Sequence, residues 1–391
     1  MPRFTPFRAL RYAVDDLAAV VAPPYDVLSD AEVDALQAGS AHNITHVDVP
    51  RGGADRYAEA ARTLAGWRED GVLVADDLDS FTIYRMRFTD ARGVAREIVG
   101  VLGGLEVVDE GAGGVLPHER TTPKASTDRL DLTRATHANL SPVWGLSLAA
   151  GLTALLAEPG APVGRVEENG VEHVVERVTD PDRLAAIAAA VAADDVLIAD
   201  GHHRYGISRT YRDEVRTATA RTDTPAEETL TFVNELVADQ LSVDAIHRLY
   251  ADVEAAALRT ALGTRFRLEP LEPPTRATLA AMEADGFLVL VTPEQTWTLR
   301  PRPGAFDGVR ALDGVWLEET LRGLEATVTY QHGLAETLEA VATGSAAAAV
   351  LIRPVSVDEI ERTAREGVLM PPKSTFFTPK LKTGFVLRPL D

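Results

Sequence analysis

Val196-Leu197-Ile198-Ala199-Asp200-Gly201-His202-His203-Arg204 is the stretch that sets the fold. Four apolar residues in a row, two of them β-branched, suit a short strand buried on both faces. The run stops at Asp200, and Gly201 permits a tight turn at no steric cost. The pattern then predicts a helix from about Tyr205 to Arg216. Such a strand delivers a carboxylate to the carboxyl end of a sheet, and the next helix turns its first amides and positive dipole end toward the same place. Sheets of the α/β kind hold anionic ligands at such points. His202, His203 and Arg204 add donors there, making a phosphate cradle. Taken in isolation, an Asp-Gly-His segment is more often a helix cap with satisfied imidazoles, and adjacent His side chains diverge too far to share a metal ion.

Outward from this stretch, strand and helix signals alternate. Pro142 to Leu148 reads as a strand, and a helix starts at Pro181 behind Asp180, where proline suits the first helical position. Nearer the start, Ser29 and Glu32 have capping-box spacing for a helix that closes near Gly39. Before it, Val20-Val21-Ala22-Pro23-Pro24 is an apolar run into a double proline that fixes Tyr25 and Asp26 at a turn. A helix over about Asp55 to Asp70 places Tyr57, Ala61, Leu64 and Trp67 on one face; strands follow at Ser80 to Phe88 and Arg96 to Val108. From Asp109 to Ser141 the apolar periodicity vanishes, as in a long polar insertion with a functional role. Leu230 to Tyr250 alternates like strand material.

Beyond Ala251 a second set of signals begins, with helices near Ala255, Arg276, Leu317 and Glu336 and strands at Phe287 to Val291 and Ala348 to Ile352. Ser356 and Glu359 repeat the capping-box spacing, and Gly384 to Leu390 reads as a final strand. The expected fold class is therefore α/β with mixed sheets, in two domains. Residues 1–250 form the first, with the polar insertion at 109–141; residues 251–391 form a smaller α/β domain whose tail, 370–383, returns to the site.

At 391 residues the chain is long for one core, and 46% apolar with 25% charged residues is ordinary for a folded domain. Lys and Arg total 39 against 59 Asp and Glu, a net charge of -20, which repels phosphate backbones and anionic lipid. No nucleic-acid or membrane partner is expected. With 0 Cys there is no disulfide, thiolate metal site or thiol nucleophile. Met1 to Asp16 lacks the apolar core of a signal peptide, and no apolar run is long enough to span a bilayer, so a soluble cytoplasmic protein is expected.

Only four lysines occur: Lys124, Lys373, Lys380 and Lys382. All lie in two proline-bracketed polar loops of a chain that otherwise uses Arg. A compact mobile ammonium is a good point-charge binder of phosphate, although a single loop Lys is as often just solvated. The first of these loops, His118-Glu119-Arg120-Thr121-Thr122-Pro123-Lys124 with Asp128-Arg129 beyond, offers cations, hydroxyls and an acid that could deprotonate a substrate hydroxyl. His137, Asn139 and Ser141 read as loop scaffolding and His247 as a structural imidazole. No Gly-Lys-Ser/Thr phosphate loop, Gly-x-Gly-x-x-Gly, His-Glu-x-x-His or Gly-x-Ser-x-Gly is present, which removes the commonest kinases, dehydrogenases, zinc proteases and serine hydrolases.

Phe7-Arg8-Ala9-Leu10-Arg11-Tyr12, Ala22-Pro23-Pro24-Tyr25-Asp26-Val27, Pro117-His118-Glu119-Arg120-Thr121, Ala199-Asp200-Gly201-His202-His203-Arg204-Tyr205 and Pro372-Lys373-Ser374-Thr375-Phe376-Phe377 resemble, in the same order, the hallmark segments of a prokaryotic family, domain of unknown function 1015. Thr378 departs from the family's more usual aromatic. The Asp-Gly-His-His-Arg turn and the Pro-Pro segment are in turn similar to the ParB and sulfiredoxin superfamily, one branch of which phosphorylates free serine. This resemblance implies a ParB/sulfiredoxin-like nucleotide-binding core and a phosphotransferase that uses ATP or ADP with Mg2+ on a small hydroxylated metabolite, free L-serine first. Under it Glu119 is the base, with Asp26 competing, and Asp200, His202 and His203 are catalytic, Asp200 also holding metal. Gly201, Arg204, Arg120, Thr121, Lys124, Arg129, Lys373, Ser374 and Thr375 would bind nucleotide, and Tyr25, Asp26 and His118 the substrate. A metal-dependent phosphatase on phosphoserine-like substrates and a ParB-like nucleotide-sensing module are the alternatives, and a homodimer is left open.

Overall fold

The strand predicted at Val196 forms as Val196–Asp200 and lies next to one edge of a nine-stranded sheet. The computed structural model describes residues 1–90, 93–117, 126–371 and 373–391. It shows a mixed α/β chain of two units: Met1–Leu241 with Ala364–Val368 and Pro379–Asp391, and Ser242–Thr363 with Leu369–Thr378.

In the first unit the strand order is Val115–Pro117, Val196–Asp200, Val143–Ser147, Glu228–Glu235, Ala95–Glu106, Phe81–Thr89, Val171–Val178, Ala161–Glu168. Phe4–Thr5 adds a further pairing to Ala95–Glu106. Val196–Asp200 runs parallel to Val115–Pro117, and Val143–Ser147 parallel to Glu228–Glu235; the other pairings are antiparallel. Val196 and Ile198 pack with Val143, Val101, Ile187 and Val191 in one buried cluster. Burying side chains of this size yields about 1.5–3 kcal/mol each, which fixes the strand's register and hence the depth of Asp200.

The second unit is a six-stranded antiparallel sheet in the order Phe266–Leu271, Thr296–Pro301, Leu288–Val291, Ala348–Leu351, Ile246–Ala251, Thr327–His332. Tyr250, Leu258, Phe266, Leu290 and Val350 pack in one of its buried clusters.

Several expectations change. The second unit begins at Ser242 rather than after 250, because Ile246–Ala251 pairs with Ala348–Leu351 and Thr327–His332. The tail is divided: Leu369–Thr378 belongs to the second unit and Pro379–Asp391 to the first. The polar insertion contains a helix, Ser126–Thr136, with Leu130 buried against Ile207 and Tyr211. A hairpin, Ala161–Glu168 and Val171–Val178, went unread although Asn169 and Gly170 both take positive φ, 52° and 74°, as a two-residue turn demands. The helix after the key strand starts at His202, and the last strand shrinks to Arg388–Pro389. Among the described residues no helix is long and apolar enough to cross a membrane.

Candidate functional site

Asp200 ends its strand, Gly201 turns the chain at φ 84°, and the helix His202–Thr219 begins at once. A side chain at Gly201 would bring its Cβ to 3.0 Å from Arg204 Nε, so the guanidinium lies folded back over the turn. The cap residue is glycine, which has no side chain to bond the amides at the start of the helix. Arg204 donates to Asp200 Oδ2 at 3.4 Å and to the carbonyl of Pro142, and Lys380 donates to the same Asp200 oxygen at 3.2 Å. Burial alone would raise the Asp200 carboxyl, but Lys380 and then Arg204 overcome it and hold the group well below the usual carboxylate range. Burial would likewise depress the Arg204 guanidinium; Asp200, Asp26, Tyr25 and Asp48 outweigh it and raise it.

Beside this corner lies a small cavity of about 50 Å³, whose walls include Tyr25, Asp48, Arg129, Asn139, Ser141, Arg204, Ser208 and Thr229. Its polar wall is built from distant segments. Arg129, on the Ser126–Thr136 helix, donates to Asp48 Oδ1 at 3.1 Å and sits 4.2 Å from the centre of the Tyr25 ring. Ser141 donates to Asp48 Oδ2 at 3.2 Å and shares a 3.0 Å hydrogen bond with Thr383. Ser208 donates to Thr229 at 2.8 Å. Asp48 is 3% exposed, and this burial raises its carboxyl against the pull of Arg129, Arg204 and the Ser141 hydroxyl. Tyr25 is raised first by burial, with Arg204 and Arg129 opposing and Asp26 and Asp48 reinforcing.

The structure thus brings Asp200, Gly201, Arg204, Arg129 and Tyr25 together in the first unit, with Asp26 exposed on the same short 3₁₀ turn as Tyr25. His202 and His203 are half-buried on the first turn of their helix. His118, Glu119, Arg120, Thr121 and Lys124 lie outside the described residues. Lys373, Ser374 and Thr375 belong to the second unit. There Lys373 is exposed with φ 59° and its carbonyl accepts from Arg248 at 3.2 Å, while the Ser374 hydroxyl donates to Pro371 at 2.7 Å.

Sequence reasoning missed Asp48, Ser141 as a wall residue, and Lys380. For Lys380 a signal existed, since it is one of four lysines. Asp48 gave none. Arg204 and Lys380 both bond Asp200 Oδ2, and among the described residues no group of three or more His, Asp or Glu side chains is placed to hold a metal ion. What the arrangement offers is two guanidiniums, Arg129 and Arg204, on the wall of a small polar cavity, with the Lys380 ammonium bonded to Asp200 beside Arg204, suited to an anion with several oxygens.

A model of the family described as "Protein of unknown function (DUF1015)" matches residues 4–315. A comparison with curated proteins gave no match. Among solved structures, the chain is similar to a conserved hypothetical protein from Pyrococcus furiosus, at 12% identity over 70% of this chain and 92% of that one, with a TM-score of 0.39. It is similar to a free serine kinase in complex with AMP, at 12% identity over 70% and 89%, with a TM-score of 0.38. It is also similar to SbnI with C-terminal truncation from Staphylococcus aureus, at 11% identity over 74% and 87%, with a TM-score of 0.40. Likeness at this level carries no argument about activity.

Proposed function

The chain belongs to the DUF1015 family, and from that premise we propose that it is a phosphotransferase that moves a phosphoryl group from ATP or ADP to a small hydroxylated metabolite, free L-serine first. The observation that supports this most is the corner at Gly201, where Arg204 and Lys380 converge on Asp200 beside a cavity that also holds Arg129. The donor's phosphates take the amides at the start of the His202–Thr219 helix, with Arg204 and Lys380 spreading the developing charge. Asp200 keeps both cations at hydrogen-bond distance and stays ionised throughout. His202 and His203 flank the transferring group as further donors.

The acceptor occupies the cavity, with Tyr25, Arg129 and Ser141 against its polar groups. Its hydroxyl oxygen attacks the terminal phosphorus, the bond from that phosphorus to the bridging oxygen breaks, and ADP or AMP leaves with the electron pair. The hydroxyl proton passes to Glu119 or Asp26. Such chemistry is mainly positioning and electrostatics, which suits a pocket made of several segments. Magnesium would enter as the nucleotide's own counter-ion and offset phosphate charge.

Incubation of the full chain with serine, threonine and other hydroxyl amino acids, each with ATP and with ADP, tests this by phosphorus NMR. A new phosphomonoester resonance growing in step with AMP or ADP is the expected result; none with any pair refutes the proposal. Glu119→Gln and Asp26→Asn then separate the two bases, since the true base loses turnover while nucleotide binding persists.

A further inference from the structure

A second cleft, of about 410 Å³, opens in the first unit and shares no residue with the first cavity. That volume falls in the range of small-molecule sites, roughly 300–1,000 Å³. Val99 lines it, six positions along the Ala95–Glu106 strand from Leu105, which pairs with Thr229 of the first cavity. Six strand residues span about 20 Å. Alternate residues of a strand share a face, and register sets Arg85 opposite Val99 and Arg87 opposite Glu97. Two guanidiniums and a carboxylate therefore stand together at this end of the sheet, with Glu176 of the neighbouring strand beside them. Arg85 is 6% exposed. Its Nε donates to Glu176 at 3.3 Å and its Nη2 to the Leu156 carbonyl at 2.6 Å; among the described residues Nη1 has no partner. Gln240, 7% exposed, accepts from the Val99 amide at 3.4 Å and donates to Thr153 at 3.0 Å, which leaves one amide hydrogen over. Glu97 accepts from Arg87 through Oε1 at 2.8 Å, and its Oε2 is without a partner among the described residues. A ligand that covered Arg85 without bonding Nη1 would forfeit about 1–3 kcal/mol. The occupant must present an oxygen there and a donor to Glu97.

We propose that this cleft binds a small zwitterion, a free amino acid with a short apolar side chain. Its carboxylate takes Arg85 and Gln240, its ammonium takes Glu97, and its side chain lies on Val99 and Pro159. The four charged groups of the wall, Arg85 and Arg87 against Glu97 and Glu176, cancel. Glu172, which also accepts from Arg87 at 3.2 Å, is itself bonded to Arg165 at 2.7 Å. A neutral wall repels neither half of a zwitterion, whereas a phosphate would meet two carboxylates and a bare amine two guanidiniums. The site stands apart from the phosphoryl-transfer reading and does not depend on it.

Titration calorimetry of the full chain without nucleotide tests this with three probes: L-valine, 3-methylbutanoate, which lacks the ammonium, and isobutylamine, which lacks the carboxylate. L-Valine should bind saturably, and each half-ligand about tenfold more weakly or worse. Glu97→Gln, an exposed change, should bring valine down to the level of 3-methylbutanoate and leave 3-methylbutanoate unaltered. Ala157→Trp, also exposed, fills the cleft and should abolish binding with an unchanged circular dichroism spectrum. Ser141→Ala, in the wall of the first cavity, should leave valine affinity as it is. No saturable heat with valine, equal affinity for either half-ligand, indifference to Glu97→Gln, or binding lost in Ser141→Ala and kept in Ala157→Trp would each overturn the proposal.

Discussion

Lys380 and Lys382 stand two residues apart and serve opposite ends. Lys380 holds Asp200 at 3.2 Å beside the cavity, whereas Lys382 is 6% exposed, contacts the Glu168 carboxylate, and is pushed down to about 8 by burial. Lys380→Met should weaken nucleotide binding about tenfold, or ~1.4 kcal/mol, and cost about 1–3 kcal/mol of stability, since Arg204 still faces Asp200. Calorimetric titration with ATP and ADP reads the first effect; unchanged affinity would remove Lys380 from the site. Arg204→Ala is a poorer probe, because it strips a buried cation from Asp200, Asp26 and Asp48 at once. For Lys382 the ordinary value is 10.5, so between about 8 and 10.5 the unfolded chain holds the proton and the folded one does not. Its contribution is therefore full above 10.5 and is lost as pH falls through 8. Lys382→Met should raise stability at pH 7 by about 1–3 kcal/mol and remove that alkaline slope in urea unfolding. A variant weaker at both neutral and alkaline pH would show that the contact with Glu168 outweighs burial.

At the scale of the element, the turn after Val196–Asp200 depends on one residue. Gly201→Ala forces φ 84° on a residue with a Cβ and drives that Cβ against Arg204 Nε. About 1 kcal/mol of strain and a nucleotide affinity reduced about tenfold are expected, with Gly206→Ala, which meets nothing within 4 Å, as the control. Equal affinities in the two variants would mean that the guanidinium's place over the turn is immaterial. This strand-turn-helix was legible because apolar run, glycine and helix start lie within a dozen residues. The Ser126–Thr136 helix was not, since its Ser-Thr-Asp-Arg-Leu-Asp-Leu-Thr-Arg-Ala-Thr offers only Leu130 and Leu132 to a core and relies on partners elsewhere. The cavity wall was hidden for the same reason: Asp48 meets Arg129 across 81 positions and Lys380 meets Asp200 across 180, and no local spacing encodes such pairs. The hairpin at Asn169-Gly170, by contrast, carries its signal locally, in the two residues of the turn.

For the whole molecule, acid should loosen both units together. His173, bonded to the Tyr84 hydroxyl at 2.7 Å, and His247 in the second unit are each pulled by burial from 6.5 to about 4. Their folded forms stay neutral where the unfolded chain takes up protons. The stability they contribute is thus complete above 6.5 and disappears as pH falls through 4, about 3 kcal/mol for each. Urea midpoints at pH 7 and 4.5 check this, and equal midpoints would refute it. Chain order adds a constraint on biosynthesis. Because Lys380 follows the whole Ser242–Thr363 segment and then rejoins Asp200, a ribosome must translate through the second unit before the first can finish its anion grip. A nascent or prematurely stopped polypeptide that has already folded its nine-stranded sheet would still lack the contact between Lys380 and Asp200, and that corner closes only near the moment of chain release.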